Sequence, residues 1–184
     1  MRVVSGALKG KRLACPKGQS IRPTSDKVRE AVFTILAHQG EGFGYKRVLD
    51  LFAGTGAMGI EAISRGAEEA VFVDSDPASC AVIRKNLDLC GVSGSAVLRG
   101  GALETIARLS QKGDRFGLVF IDPPYASGLA SEALRALDSS GLLPEDGVCV
   151  AETSKRNPLQ SELATLRLAE ERRYGDTLVY IFRR

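Results

Sequence analysis

The sequence predicts an α/β protein: an open, doubly wound, mostly parallel sheet with helices on both faces. Three observations predict it. From residue 47 onward, short apolar runs alternate with segments of helical spacing. The first run opens into a glycine loop, Gly54-x-Gly56-x-x-Gly59. The tail carries two strand-like stretches around Arg173-Tyr174-Gly175-Asp176, the pattern of a hairpin added at a sheet edge. The 184 residues fit one compact domain covering 1–184, with no interdomain linker or internal repeat.

The elements follow in order. Residues 2–15 alternate weakly around Gly6 and Gly10 and read as a small hairpin or extended arm. Thr24 or Ser25 can cap the next helix, whose Val28, Ala31, Val32, Ile35 and Leu36 recur at helical spacing until Gly40. Residues 48–52 form an apolar strand, and 60–65 a helix stopped by Gly66. A strand at 70–73 leads to Asp76-Pro77, a cap with proline at the first helical position, and that helix runs to Gly91. Strands at 96–98, 118–121 and 148–151 then alternate with helices at 103–109 and 131–137.

Bulk composition narrows the class. A hydrophobic share of 44% and a charged share of 26% suit a globular protein with its own core. The four cysteines form no C-x-x-C pair, so zinc or dithiol chemistry has no support. No signal-like or membrane-length apolar run occurs, and the expected location is the cytoplasm. The net charge of +3 hides an asymmetry: residues 1–30 hold eight Lys or Arg against two acids, so this part is +6 and the rest −3. A basic N-terminal arm and helix at about 1–40 on an acidic body suit an anionic partner.

The glycine loop matches the dinucleotide fingerprint, with Asp74 twenty residues beyond Gly54 at the ribose-binding position. The same loop also serves S-adenosylmethionine (SAM). That ligand has no pyrophosphate. Its cationic amino and sulfonium groups favour an acid at the strand end, where Asp50 stands. Asp50, Phe52, Gly54, Thr55, Gly56 and Asp74 are the expected cofactor contacts. The glycines do not choose between the two cofactors. Against an oxidoreductase, few residues remain after the fifth strand for a substrate domain, and no tyrosine is followed four residues later by lysine.

The run 118-LVFIDPPY-125 decides further. It puts Asp122, Pro123, Pro124 and Tyr125 at the carboxyl end of the fourth strand, on the crevice the glycine loop borders. The Asp122 carboxylate and Pro123 carbonyl can each accept one N–H of an exocyclic amine, and Tyr125 can stack on its base. Such a corner suits methylation of a nucleobase amine by positioning and electrostatics, without a metal. An adenine-N6 DNA methyltransferase shares this corner, although it would usually carry a separate recognition domain.

Together with 2-RVVSGALKGKRL-13, 22-RPTSDKVREAVF-33, 49-LDLFAGTGAMGIEAISRGA-67 and Tyr174-Gly175-Asp176-Thr177, the chain resembles the RsmD family of small-subunit ribosomal RNA guanine-N2 methyltransferases. The resemblance implies a Rossmann-like class I SAM-dependent methyltransferase with a seven-stranded, mostly parallel sheet and an antiparallel last strand. It implies methylation of one guanine N2 amine in a 16S rRNA hairpin loop, within the small subunit or an assembly intermediate, by a monomer. The basic arm then supplies phosphate contacts through Arg2, Lys9, Lys11, Arg12, Arg22, Thr24 and Arg29. One position departs from the family pattern. Gly101 stands where an Asp or Asn usually meets the adenine amino group, which leaves a backbone carbonyl for that task. His38, the one histidine, is read as helix-end packing.

Overall fold

The computed structural model describes residues 1–15, 26–38, 43–124, 128–159 and 162–184. The expected capping residues Thr24 and Ser25, and Gly40, lie outside them. Helix α1 spans Asp26–His38. Then follow β1 (Arg47–Leu51), α2 (Ala57–Ser64), β2 (Glu69–Asp74), α3 (Pro77–Cys90), β3 (Ala96–Arg99), α4 (Ala102–Gln111), β4 (Leu118–Ile121), α5 (Leu129–Ser140), β5 (Val148–Ser154), β6 (Arg167–Tyr174) and β7 (Thr177–Arg183).

The seven strands are ordered β3-β2-β1-β4-β5-β7-β6. β1 to β5 pair in parallel, and β7 runs antiparallel between β5 and β6. The strand order reverses at β1 and β4, which opens a crevice at their carboxyl ends. The chain therefore has the predicted fold class.

Strand alternation sends side chains to two cores. One contains Val48, Phe72, Phe120, Val150 and Val179, under α1, α2, α3 and the N-terminal arm. The other contains Leu49, Val73, Ile121, Ala151 and Tyr180, under α4 and α5.

Several boundaries differ from the sequence expectations. Helix α2 begins at Ala57, so Gly59 lies inside it. A Cβ at Gly59 would meet the Phe72 ring at 2.3 Å, and the missing side chain lets α2 press against β2. Phe52 leaves β1 with φ 61, a left-handed conformation that starts the loop. β5 continues to Ser154 because β7 pairs with it that far.

The arm is held far more firmly than its composition suggests. Val3 and Leu13 are buried, and Arg2 bridges Arg12. The amides of Val4 and Ser5 donate to the two oxygens of Glu61 at 2.8 and 2.9 Å. The amides of Ala7 and Leu8 donate to Ser64, on its carbonyl and its hydroxyl. Gly6 lies so close to Ser64 that a Cβ would fall 1.8 Å from the Ser64 carbonyl oxygen.

Arg29 corrects the sequence reading. Its side chain is fully buried, not on an RNA-facing surface. It donates to the Arg2 carbonyl at 2.6 Å and to Asp26 at 2.8 Å, and its Nε lies 3.5 Å from Glu61. Glu61 is equally buried and also receives Arg65 Nε at 2.9 Å. Arg29 therefore joins arm, α1 and α2. Replacing Glu61 with Ala would strand this guanidinium in the core, and such a loss costs about 3–5 kcal/mol. Urea denaturation of Glu61→Ala should show a drop of that order, and the exposed Lys9→Ala should stay near wild type.

Candidate cofactor and amine site

The residues expected to hold the cofactor stand around the carboxyl ends of β1 and β2. The Ala53 amide donates to the Val73 carbonyl at 2.9 Å, which ties the loop to β2. Gly54 and Gly56 take φ of 55 and 76, values that favour glycine. A Cβ on Gly54 would meet only the Phe52 carbonyl, at 4.0 Å, so the loop leaves room for a ligand. Thr55 is buried, and its carbonyl accepts from Asn86 Nδ2 at 2.9 Å. Asn86 also clamps Ala14, accepting from its amide at 2.7 Å and donating to its carbonyl at 3.1 Å. The glycine loop and the end of the arm thus share one buried amide side chain.

Asp74 is half-buried, and its two oxygens accept from the Gly54 and Asp76 amides at 2.8 and 2.9 Å. A carboxylate has roughly four acceptor positions, so capacity remains for ribose hydroxyls. Asp50 is buried and accepts from the Gly59 amide at 2.9 Å. Burial pushes its pKa up to about 7; the Gly59 amide opposes this and the negative charge of Asp74 adds to it. An acid stored at such a cost suits a cationic ligand group.

Gly101 caps α4 without a side chain, as its identity requires. Glu104, on the first turn of that helix, brings a carboxylate oxygen to 3.7 Å from where a Gly101 Cβ would stand. Sequence reasoning missed this acid.

The residues expected to hold the amine lie one strand over, at the end of β4. Leu51 pairs with Ile121 across β1 and β4, so Phe52 and Asp122 leave their strands side by side. Asp122 is half-buried and Pro123 buried. Tyr125 lies outside the described residues, as do Arg22 and Thr24. Arg2, Lys9, Lys11 and Arg12 are exposed on the arm.

Glu61 and Asn86 were also missed. Each carries a weak signal. Glu61 interrupts an otherwise apolar helix, and Asn86 sits mid-helix, where its side chain competes with backbone bonding. Among the described residues no group of three or more His, Cys, Asp or Glu could hold a metal ion, and no helix is long and apolar enough to cross a membrane.

Comparison with known proteins agrees with this fold. The model of the family described as conserved hypothetical protein 95 matches residues 1–183. YlbH of Bacillus subtilis is 37% identical, covering 100% of this chain and 99% of that one. Ribosomal RNA small subunit methyltransferase D of Escherichia coli K12 is 32% identical, covering 100% of this chain and 90% of that one. The solved structure of Escherichia coli yhhF superposes with a TM-score of 0.86 at 32% identity, covering 100% of this chain and 97% of that one.

If Asp50 meets a cationic ligand, stability and ligand binding should respond oppositely to pH. Its folded pKa, about 7, lies above the ordinary 3.8, so the folded form keeps a proton that the unfolded chain loses between those values. Stability from this group is full below pH 4 and falls as pH rises to 7. Affinity for a cationic ligand rises over the upper part of that window. Asp50→Asn should therefore unfold at higher temperature than wild type at pH 8. Calorimetric titration with SAM should show wild-type affinity weakening from pH 8 to 6, and binding lost in the variant.

Proposed function

The chain belongs to the family of conserved hypothetical protein 95, the RsmD family of ribosomal RNA methyltransferases, and from that premise we propose that it methylates the N2 amine of one guanine in a 16S rRNA hairpin loop. The observation that carries the chemistry is the placement of Asp122-Pro123 directly beside the end of β1, where the loop over Asp50 begins. An unpaired loop base suits the reaction because it is extruded at low cost.

The residues present fit SAM. Asp50 answers its cationic end, the open space at Gly54 admits it, and Asp74 can take the ribose hydroxyls. We assign Glu104 to the adenine amino group, in place of the side chain that Gly101 lacks. Phe52, Thr55 and Gly56 shape the loop around it. When bound, SAM supplies a methyl group activated by its sulfonium.

The chain's own residues do the rest. The Asp122 carboxylate and the Pro123 carbonyl accept the two N–H bonds of the amine, which turns its lone pair out of the ring plane. The carbon–nitrogen bond would form as the methyl's bond to sulfur breaks, with that electron pair left on a neutral thioether; the amine then sheds one proton, which Asp122 would take and pass to water. Tyr125 would stack on the base. Preorganised acceptors of this kind act mainly through orientation and electrostatics. Arg2, Lys9, Lys11 and Arg12, with Arg22 and Thr24, would hold RNA phosphates, and the base pocket would supply selectivity. The protein would act in the cytoplasm as a monomer on the small subunit or an assembly intermediate.

Transfer of labelled methyl to small-subunit particles from cells lacking this protein tests the proposal, with naked rRNA and DNA alongside. N2-methylguanosine should appear in the particles. Removing a key positioning group costs roughly 100-fold or more in rate, so Asp122→Ala should be nearly silent while still binding SAM. Label recovered as N6-methyladenine, or in DNA, would refute the substrate assignment.

A further inference from the structure

A second acid stands beside Asp122, and the reaction as described leaves it without a task. Ile121 of β4 pairs in parallel with Ala151 of β5, so Asp122 and Glu152 both follow directly from that pair. Neighbouring strands run about 4.8 Å apart. Phe120 and Val150, two residues earlier on each strand, point into the core face beneath α1 and α2. By alternation Glu152 emerges on that same face, and Asp122 is the first residue beyond β4. Val179, opposite Glu152 on β7, belongs to this face too. Glu152 is only 7% exposed.

Its position relative to the cofactor half matters. Asp50 and Asp74 lie on β1 and β2, to one side of β4. Glu152 lies on β5, to the other side. A base whose amine is held at Asp122 and that extends away from the cofactor residues lies on the β5 side. The ring atom it offers there, next to the amine-bearing carbon, meets a carboxylate that can only accept. Guanine presents such a donor, N1–H, beside its N2 amine. Adenine presents an acceptor, N1, beside its N6 amine, and a carboxylate repels it. Glu152 already has an interaction within the fold, as does Asp122. A carboxylate with about four acceptor positions keeps room for one more donor.

Resting on the reading that Asp122 holds the amine, we infer that Glu152 accepts the guanine N1–H and selects guanine over other amino-bearing bases. The same bond draws the N1 proton outward and leaves more electron density for N2, the atom that is methylated.

The test replaces the guanine marked by the labelling experiment with 2-aminopurine in reconstituted particles. That base keeps the amine but has an acceptor at N1. Sites that bond a substrate N–H reject analogues lacking it by large factors, so the wild type should favour guanine by roughly 100-fold or more in kcat/KM. In Glu152→Gln the amide can donate to 2-aminopurine, and the preference should fall below about tenfold, with SAM affinity unchanged. Glu152→Asp should retain the preference at reduced rate. An unchanged preference in Glu152→Gln, with both substrates slowed equally, would overturn the inference and leave a structural role. A wild type that puts no methyl on guanine N2 would overturn the parent reading as well.

Discussion

The carboxylate of Glu61 is the interaction on which one whole face of the protein depends. It is a charge held entirely out of water, and such a charge is tolerable only when its acceptor positions are filled. Four groups surround it: two amides from the arm, Arg65 from its own helix, and Arg29 from α1. Each segment is thereby placed against the others through a single side chain. Because α2 follows the glycine loop, the basic arm and the cofactor loop are parts of one packed unit. Asn86 repeats the connection at the other end of the arm, joining Ala14 to Thr55. Phosphate contacts made by the arm would therefore bear on a surface continuous with the cofactor site.

Asp50 shows the opposite economy. Glu61 is surrounded by donors, whereas Asp50 is buried and held by the Gly59 amide, with the negative charge of Asp74 nearby. That deficit of positive charge disfavours the ionised form of Asp50 in the folded protein and would be relieved by a cationic ligand. The left-handed Phe52 belongs to the same trade, since strained backbone persists where the surroundings enforce it and is common at functional sites. The Gly59 amide ties α2, which carries Glu61, to Asp50 on β1, and the close contact of Gly59 with Phe72 holds the same helix against β2.

The switch in strand order sets which acids stand together. It separates the acids at the ends of β1 and β2 from those at the ends of β4 and β5, so one crevice holds two chemically distinct halves. Asp122 stands at the boundary between them. Glu152 becomes its neighbour only because β4 and β5 run in parallel and in register, although thirty positions separate the two in the chain.

The sequence by itself determined whatever depends on local pattern. Alternating apolar runs specified the strands and their order in the chain. Gly54 and Gly56 announced the turn that follows β1, and Asp122-Pro123 announced the exit from β4. The family resemblance rested on these same contiguous stretches. What only the tertiary structure decided concerns partners distant in the chain. Arg29 read as a surface cation because charged residues are usually solvated, and only the meeting of α1 with α2 and the arm buries it. Glu61 and Asn86 left little trace because their roles come from neighbours that no periodicity encodes. Local rules describe what a residue favours within a few positions. The energy of a buried charge is set by the groups that folding brings around it.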